Sequence, residues 1–157
     1  MTKRAKQSAG LLLFRYRQQT LEVFLVHSGG PFWAHKDEGA WTIPKGEFED
    51  DEEPLAAARR EFTEETGFVA DGPFVELGSI RQKSGKRVLA WACAGDCDPA
   101  TLVSNTCEIE WPPRSKRRLV IAEVDRGAWF GIVDALRPLR TEQHPFLARL
   151  EKHLRKQ

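Results

Sequence analysis

The segment "GEFEDDEEPLAAARREFTEETGF", Gly46 to Phe68, limits what this chain can fold into more than any other stretch. Pro54 suits the first turn of a helix, the acids before it favour the positive end of the helix dipole, "LAAARREF" has high helical propensity, and Gly67 is a natural stop. A helix is therefore predicted from about Pro54 to Thr66, with Leu55, Ala58 and Phe62 forming one stripe toward a core. At about 100° per residue, Glu61, Glu64 and Glu65 fall within an arc of roughly 100°. Three carboxylates projecting together need a cation. Arg60 stands at i,i+4 from Glu64, and Mg²⁺ is the stronger candidate because it takes carboxylate oxygens and is completed by a substrate's phosphates. For "REFTEE" alone, a solvated and salt-bridged helix face is the competing reading.

Strand-like runs surround this helix. "SAGLLLFRYR" and "LEVFLVHS" flank the short turn "QQT" as a hairpin, while "FVELGSIRQ" and "RVLAWACAG" flank "KSGK" as another. Ser28 to Gly46 is rich in Gly, Pro and aromatic residues and reads as a loop, apart from a possible strand around Trp41 to Ile43. "CEIEW" reads as a strand, "PPRSKRR" as a basic loop, and about His144 to Lys156 as a helix whose Phe146, Leu147, Leu150 and Leu154 recur at helical spacing. Hairpins, a helix, further strands and a last helix predict an α/β or α+β layered domain with a mixed sheet.

The length of 157 residues suits one domain spanning 1–157, with residues 1–6 as a flexible tail. The basic and then apolar start is interrupted by Arg15 and Arg17, so it reads as a tail entering a strand rather than a signal peptide, and no apolar run is long enough to span a bilayer. With 24 Lys and Arg against 23 Asp and Glu, nothing global favours a polyanion, and any phosphate affinity must be local. Cys93, Cys97 and Cys107 are odd in number and form no CxxC pair, which argues against a disulfide framework or a zinc site and for a reducing cytoplasm.

The register of the acidic segment carries the chemistry. Gly46, Glu52, Arg60, Glu61, Phe62, Glu64, Glu65, Gly67 and Phe68 match the Nudix box, GX5EX7REUXEEXGU with U apolar, at every specified position. The chain thus resembles the Nudix hydrolase family, over the box and in the order of strands and helices around it. The resemblance implies an α/β/α sandwich with a mixed central sheet and a loop-helix-loop catalytic motif that binds Mg²⁺ or Mn²⁺. It further implies Glu64 and Glu65 as core metal ligands, with the Gly46 carbonyl available. Glu61 would be a ligand or would orient the attacking water, Arg60 would hold the carboxylates through an ion pair, and Glu52 would brace the loop. Glycine at 46 and 67 is expected at chain reversals. The chemistry is consistent with this: a pyrophosphate repels hydroxide until metal ions neutralise its oxygens and lower the pKa of a bound water, and a carboxylate can accept the water's proton.

Outside the box, a further acidic ligand is expected, and Glu123 in "EVDRGAWF" is chosen over Glu108 and Glu110. "WTIPKG" resembles the variant found in Nudix enzymes that cleave dinucleoside polyphosphates or inositol pyrophosphates, with Lys45 placed to meet a phosphate. Phe32, Trp33, Trp41 and Trp111 are candidates for stacking on a base. "RSKRR", with Arg114 and Lys116, is a candidate polyphosphate clamp or RNA contact, and His27 and His35 flank the aromatic loop.

The expected activity is hydrolysis of a phosphoanhydride in a nucleoside diphosphate derivative, with nucleoside or dinucleoside polyphosphates ahead of oxidised dNTPs, nucleotide sugars, inositol pyrophosphates and RNA 5′ ends. A Nudix-fold nucleotide sensor is the alternative, although every box position is present and there is no room for an added DNA-binding domain. An isopentenyl diphosphate isomerase-like enzyme would need a catalytic cysteine and a histidine-rich metal site that the sequence does not show. A phosphorylated small molecule is the expected partner, without a membrane, and the chain is expected to be a monomer or homodimer.

Overall fold

Two leucine-rich strands with opposite faces organise the molecule. The computed structural model describes residues 7–156, so the expected tail 1–6 lies outside the described residues. Strand β1 (Gln7–Arg17) turns through Gln18 and Gln19, both with positive φ, into antiparallel β2 (Thr20–Ser28). A two-residue left-handed turn of this kind matches the twist of the strands it joins. Along β1 the side chains alternate: Leu11 and Leu13 enter one core, Leu12 and Phe14 the other.

On one edge β1 pairs in parallel with β6 (Arg87–Ala94), which in turn pairs with β5 (Phe74–Arg81). The other edge is shared. Residues 7–10 pair with β4 (Lys45–Phe48), whereas residues 14–17 pair with β2, so the sheet forks between them. β3 (Trp41–Thr42) follows β2, β4 follows β1, and Ile43 and Pro44 cross from one prong to the other. The far edge of β2 carries β9 (Val124–Gly131). Among the described residues these seven strands form one mixed sheet. A separate two-stranded ribbon, β7 (Thr106–Glu110) with β8 (Arg118–Ala122), stands off it.

Helices cover both faces. α1 (Pro54–Thr66) places Ala57, Ala58 and Phe62 on Leu11, Leu13, Phe24 and Val26. The short α2 (Ile132–Ala135) and α3 (His144–Arg155) cover the opposite face, where Phe146, Leu147 and Leu150 meet Leu12, Phe14 and Leu25. Phe62 is wholly buried, and truncating such a side chain to Ala costs about 3–5 kcal/mol. The result is the expected α/β/α sandwich. "KGEF", read from sequence as loop, is instead a strand, because the free edge of β1 supplies backbone partners that its own composition does not announce. No helix among the described residues is long and apolar enough to cross a membrane.

Candidate active site

The register of α1 is fixed at both ends. The Glu53 side chain accepts from the Ala56 N–H at 2.9 Å, Pro54 opens the first turn, and Gly67 closes the helix at φ 79°, its N–H bonded to the Thr63 carbonyl. With that phase, Glu61 and Glu65 lie one turn apart on the side facing the sheet, and both are buried. Gly46 sits opposite Glu61. It belongs to β4, in register with Ala9, rather than to a chain reversal, and its φ is not left-handed. A Cβ there would overlap the Glu61 carboxylate, so the glycine is required by close approach, whereas Gly67 does fit the expected turn.

Arg60 ties the acidic groups together. Its Nε and Nη2 donate to the two Glu52 oxygens, each at 2.9 Å, and its Nη1 donates to Glu61 Oε1 at 2.8 Å and lies 3.4 Å from Glu64. The bidentate grip holds the Glu52 carboxylate below its ordinary range.

The third wall comes from a distant part of the chain. Val103 and Asn105 donate backbone N–H groups to the carbonyls of Thr66 and Glu64, and the Asn105 carbonyl accepts from Glu123 N–H. This strap brings Glu123 to the end of α1, where ligand oxygens of Glu61, Glu65 and Glu123 all lie within 4.8 Å of one another. Burial pushes Glu61 and Glu123 above the usual carboxylate range, aided by the charge of Glu64, and pushes Glu65 up to about 8 against the Lys45 N–H that donates to its Oε1 at 3.1 Å. Three hard oxygen donors brought this close, two of them on buried side chains, fit a divalent cation.

Glu64 stands apart from this group. Its side chain is 42% exposed, because the helix phase that turns Glu61 and Glu65 inward leaves Glu64 at the rim. The competitors Glu108 and Glu110 are held in the ribbon: Glu108 lies 3.5 Å from Arg118, and Glu110 Oε1 accepts from Arg114 N–H at 3.0 Å.

The substrate-binding candidates divide similarly. Lys45 adjoins the carboxylates; burial lowers its pKa and the Glu65 charge opposes that. Trp41, expected as a stacking face, is 4% exposed and packs edge-on to His27 and Phe130, with its Nε1 donating to Asp37, so no base can reach it. Trp33 is half-buried beneath Arg140, whose guanidinium carbon lies 4.8 Å from the ring centroid, and Phe32 is 53% exposed beside it. Trp111, Arg114 and Lys116 are at the tip of the β7–β8 ribbon, four residue steps or about 14 Å along the ribbon from its base near Glu123. His27 cannot touch substrate. It is fully buried, Nδ1 at 2.9 Å from Asp125 Oδ1 and Nε2 at 2.6 Å from the Lys36 carbonyl, and it fastens the aromatic loop to β9; His35 is exposed.

Three contributors escape the sequence reading: Asn105, Arg140 and Gln143. Gln143 is fully buried, its Oε1 accepting from Ile43 N–H at 3.0 Å and its Nε2 donating to Thr42 Oγ1 at 2.8 Å, which fixes the crossing just before Lys45. Each acts on residues tens of positions away, and only the polar sequence around a predicted helix start hinted at Gln143.

Comparison with solved structures finds the same fold. The NUDIX domain of Shewanella oneidensis NrtR complexed with ADP ribose aligns over 98% of this chain and 90% of its own, at 21% identity and a TM-score of 0.69. A Caenorhabditis elegans Ap4A hydrolase binary complex aligns over 98% and 100%, at 19% identity and a TM-score of 0.66. A mutT/nudix family protein from Listeria innocua aligns over 99% and 97%, at 18% identity and a TM-score of 0.65. At these identities the likeness is one of fold. No curated protein sequence matches. The sequence profile of the NUDIX domain matches residues 4–150, nearly the whole chain and all of the carboxylate site, so this protein belongs to the NUDIX family.

Proposed function

We propose that this site hydrolyses a phosphoanhydride bond in a nucleoside diphosphate derivative, with dinucleoside polyphosphates as the leading substrate and Mg²⁺ or Mn²⁺ as the cofactor. The chain is a Nudix pyrophosphohydrolase. The observation that carries the reading is the convergence of Glu61, Glu65 and Glu123 on the end of a complete Nudix helix, backed by Arg60. The "WTIPKG" segment and the structural likeness to an Ap4A hydrolase support the substrate class.

In this reading Glu61, Glu65 and Glu123, with the Gly46 carbonyl, would hold the cation, which would neutralise phosphate oxygens and lower the pKa of a bound water. Arg60 fixes the Glu61 carboxylate. Glu64, at the rim and 3.4 Å from Arg60, is the carboxylate best exposed to accept a proton from the attacking water. Lys45 supplies positive charge to the substrate phosphate next to the carboxylates. The ribbon tip, with Trp111, Arg114 and Lys116, serves the distal part of a long substrate.

The test is a phosphate-release screen over dinucleoside polyphosphates, dNTPs, nucleotide sugars and inositol pyrophosphates with Mg²⁺ and Mn²⁺, beside Glu65→Gln and Glu64→Gln. Metal-dependent turnover that both variants abolish or cut at least a hundredfold supports the reading. Tight nucleotide binding with no turnover by wild type would replace it with a sensor.

A further inference from the structure

Several cations on or beside the sheet are tied to carboxylates. Arg15 meets Glu22 and Asp96, Arg60 meets Glu52, and Lys86 meets Glu47. Around Trp33, cations gather on an aromatic pair instead. Among the described residues no carboxylate forms an ion pair with Lys36, Lys45 or Arg140. Arg140 is nevertheless firmly placed: its backbone N–H donates to the Trp41 carbonyl at 3.0 Å, its guanidinium lies over Trp33, and its Nε is buried without an acceptor. The Lys36 ammonium sits 3.5 Å from the Phe32 centroid and 5.5 Å from that of Trp33, so the same aromatic pair holds a second cation. Lys45 feels the charges of Glu65 and Glu47 as well as those of Lys86 and Arg140.

Gathering unpaired positive charges costs free energy through mutual repulsion and lost hydration, and a donor left without an acceptor adds to that cost. An anion entering beside them would offset the repulsion. Contact with Trp33 holds the guanidinium in place, and a fork of N–H donors suits a phosphate.

We propose that Arg140, held on Trp33, binds a substrate phosphate beyond the one at the carboxylates, so that the site prefers chains of three or more phosphates. A diphosphate engaged at the carboxylates leaves Arg140 without its anion; a longer chain reaches it. Trp33 is then a support for a phosphate-binding arginine rather than a platform for a base. This inference rests on the hydrolase reading of the same site.

The test compares kcat and KM of wild type, Arg140→Gln and Arg140→Lys on a dinucleoside tetraphosphate and on ADP-ribose. Losing one charge-assisted contact should raise KM for the tetraphosphate by roughly ten- to a hundredfold, with a smaller change in kcat. The preference for tetraphosphate over ADP-ribose should fall by the same order, and Arg140→Lys should recover part of it. Equal losses on the two substrates, or a kcat effect alone, would overturn the proposal. Thermal midpoints report folding, and Arg140→Lys keeps the comparison usable should Arg140→Gln unfold. If wild type hydrolyses nothing in the wider screen, the hydrolase reading fails by itself, and calorimetric titration with inorganic tripolyphosphate decides the subsite: weaker binding by the variants supports it, and unchanged binding refutes it.

Discussion

Replacing Gly46 with alanine tests whether the site depends on the fit between β4 and α1. An alanine Cβ would overlap Glu61 Cδ and Oε2 and lie 2.5 Å from Oε1, whereas ordinary van der Waals contact begins at 3.4 Å. Even the most distant of these atoms must retreat by about 0.9 Å, and the β4 backbone is held to Ala9 of β1 and cannot yield. Glu61 must therefore leave its bond to Arg60 and its place beside Glu65 and Glu123. A displacement near 1 Å in a catalytic arrangement costs on the order of 100-fold in rate. Gly46→Ala should lower kcat by about that factor and weaken Mg²⁺ binding measured by calorimetry, with a change of at most about 1 kcal/mol in urea-unfolding stability, since no core contact is lost. A double-mutant cycle sharpens the test: in a Glu61→Ala background the added methyl meets no carboxylate, so Gly46→Ala should have almost no further effect. Activity within threefold of wild type with unchanged metal affinity, or full additivity in the cycle, would refute the argument.

Glu65 makes metal binding and stability depend on pH. Its folded value of about 8 lies above the ordinary 4.5, so the metal-free native state holds an extra proton between these values and its stability should fall as pH rises from about 4.5 to about 8. Cation affinity should rise over the upper part of that range and level off above pH 8; thermal midpoints with and without Mg²⁺ check both, and a Glu65→Gln variant that keeps the same slope would count against the cause. Gln143→Ala should cost at least about 1–3 kcal/mol in urea unfolding, because it orphans the buried Ile43 N–H. Glu52→Gln should lower kcat by about tenfold through a loosened Arg60, with the thermal midpoint nearly unchanged, and a wild-type rate would show that Arg60 needs no brace.

Local signals made α1 legible to the residue: Pro54, the acids before it and Gly67 all act within the helix they delimit. The two hairpins and α3 were equally local. What could not be read were pairings made across the chain. β4 exists because β1 has an edge to offer, and the parallel match of β1 with β6 joins segments some 80 residues apart. Trp41 and Trp33 look alike in a Gly- and Pro-rich loop, yet one is core and the other a support for Arg140, because their neighbours His27, Phe130 and Arg140 come from separate elements. The box register marked Glu61, Glu64 and Glu65 as a set, but only the packing of α1 against β1 and β4 separates the inward pair from the one at the rim.

The fork in the sheet gives the carboxylate site a mechanical character. Glu61 and Glu65 ride on the helix that packs against the β1–β4 prong, while Glu123 lies at the root of β9, on the prong of β2. Ile43 and Pro44 cross between the prongs, and the backbone at Asn105 ties Glu123 to Glu64. A cation seated among the three carboxylates would act as a clasp, held from both prongs at once. Substitutions in the crossing that touch no ligand and no substrate can then loosen or tighten the clasp.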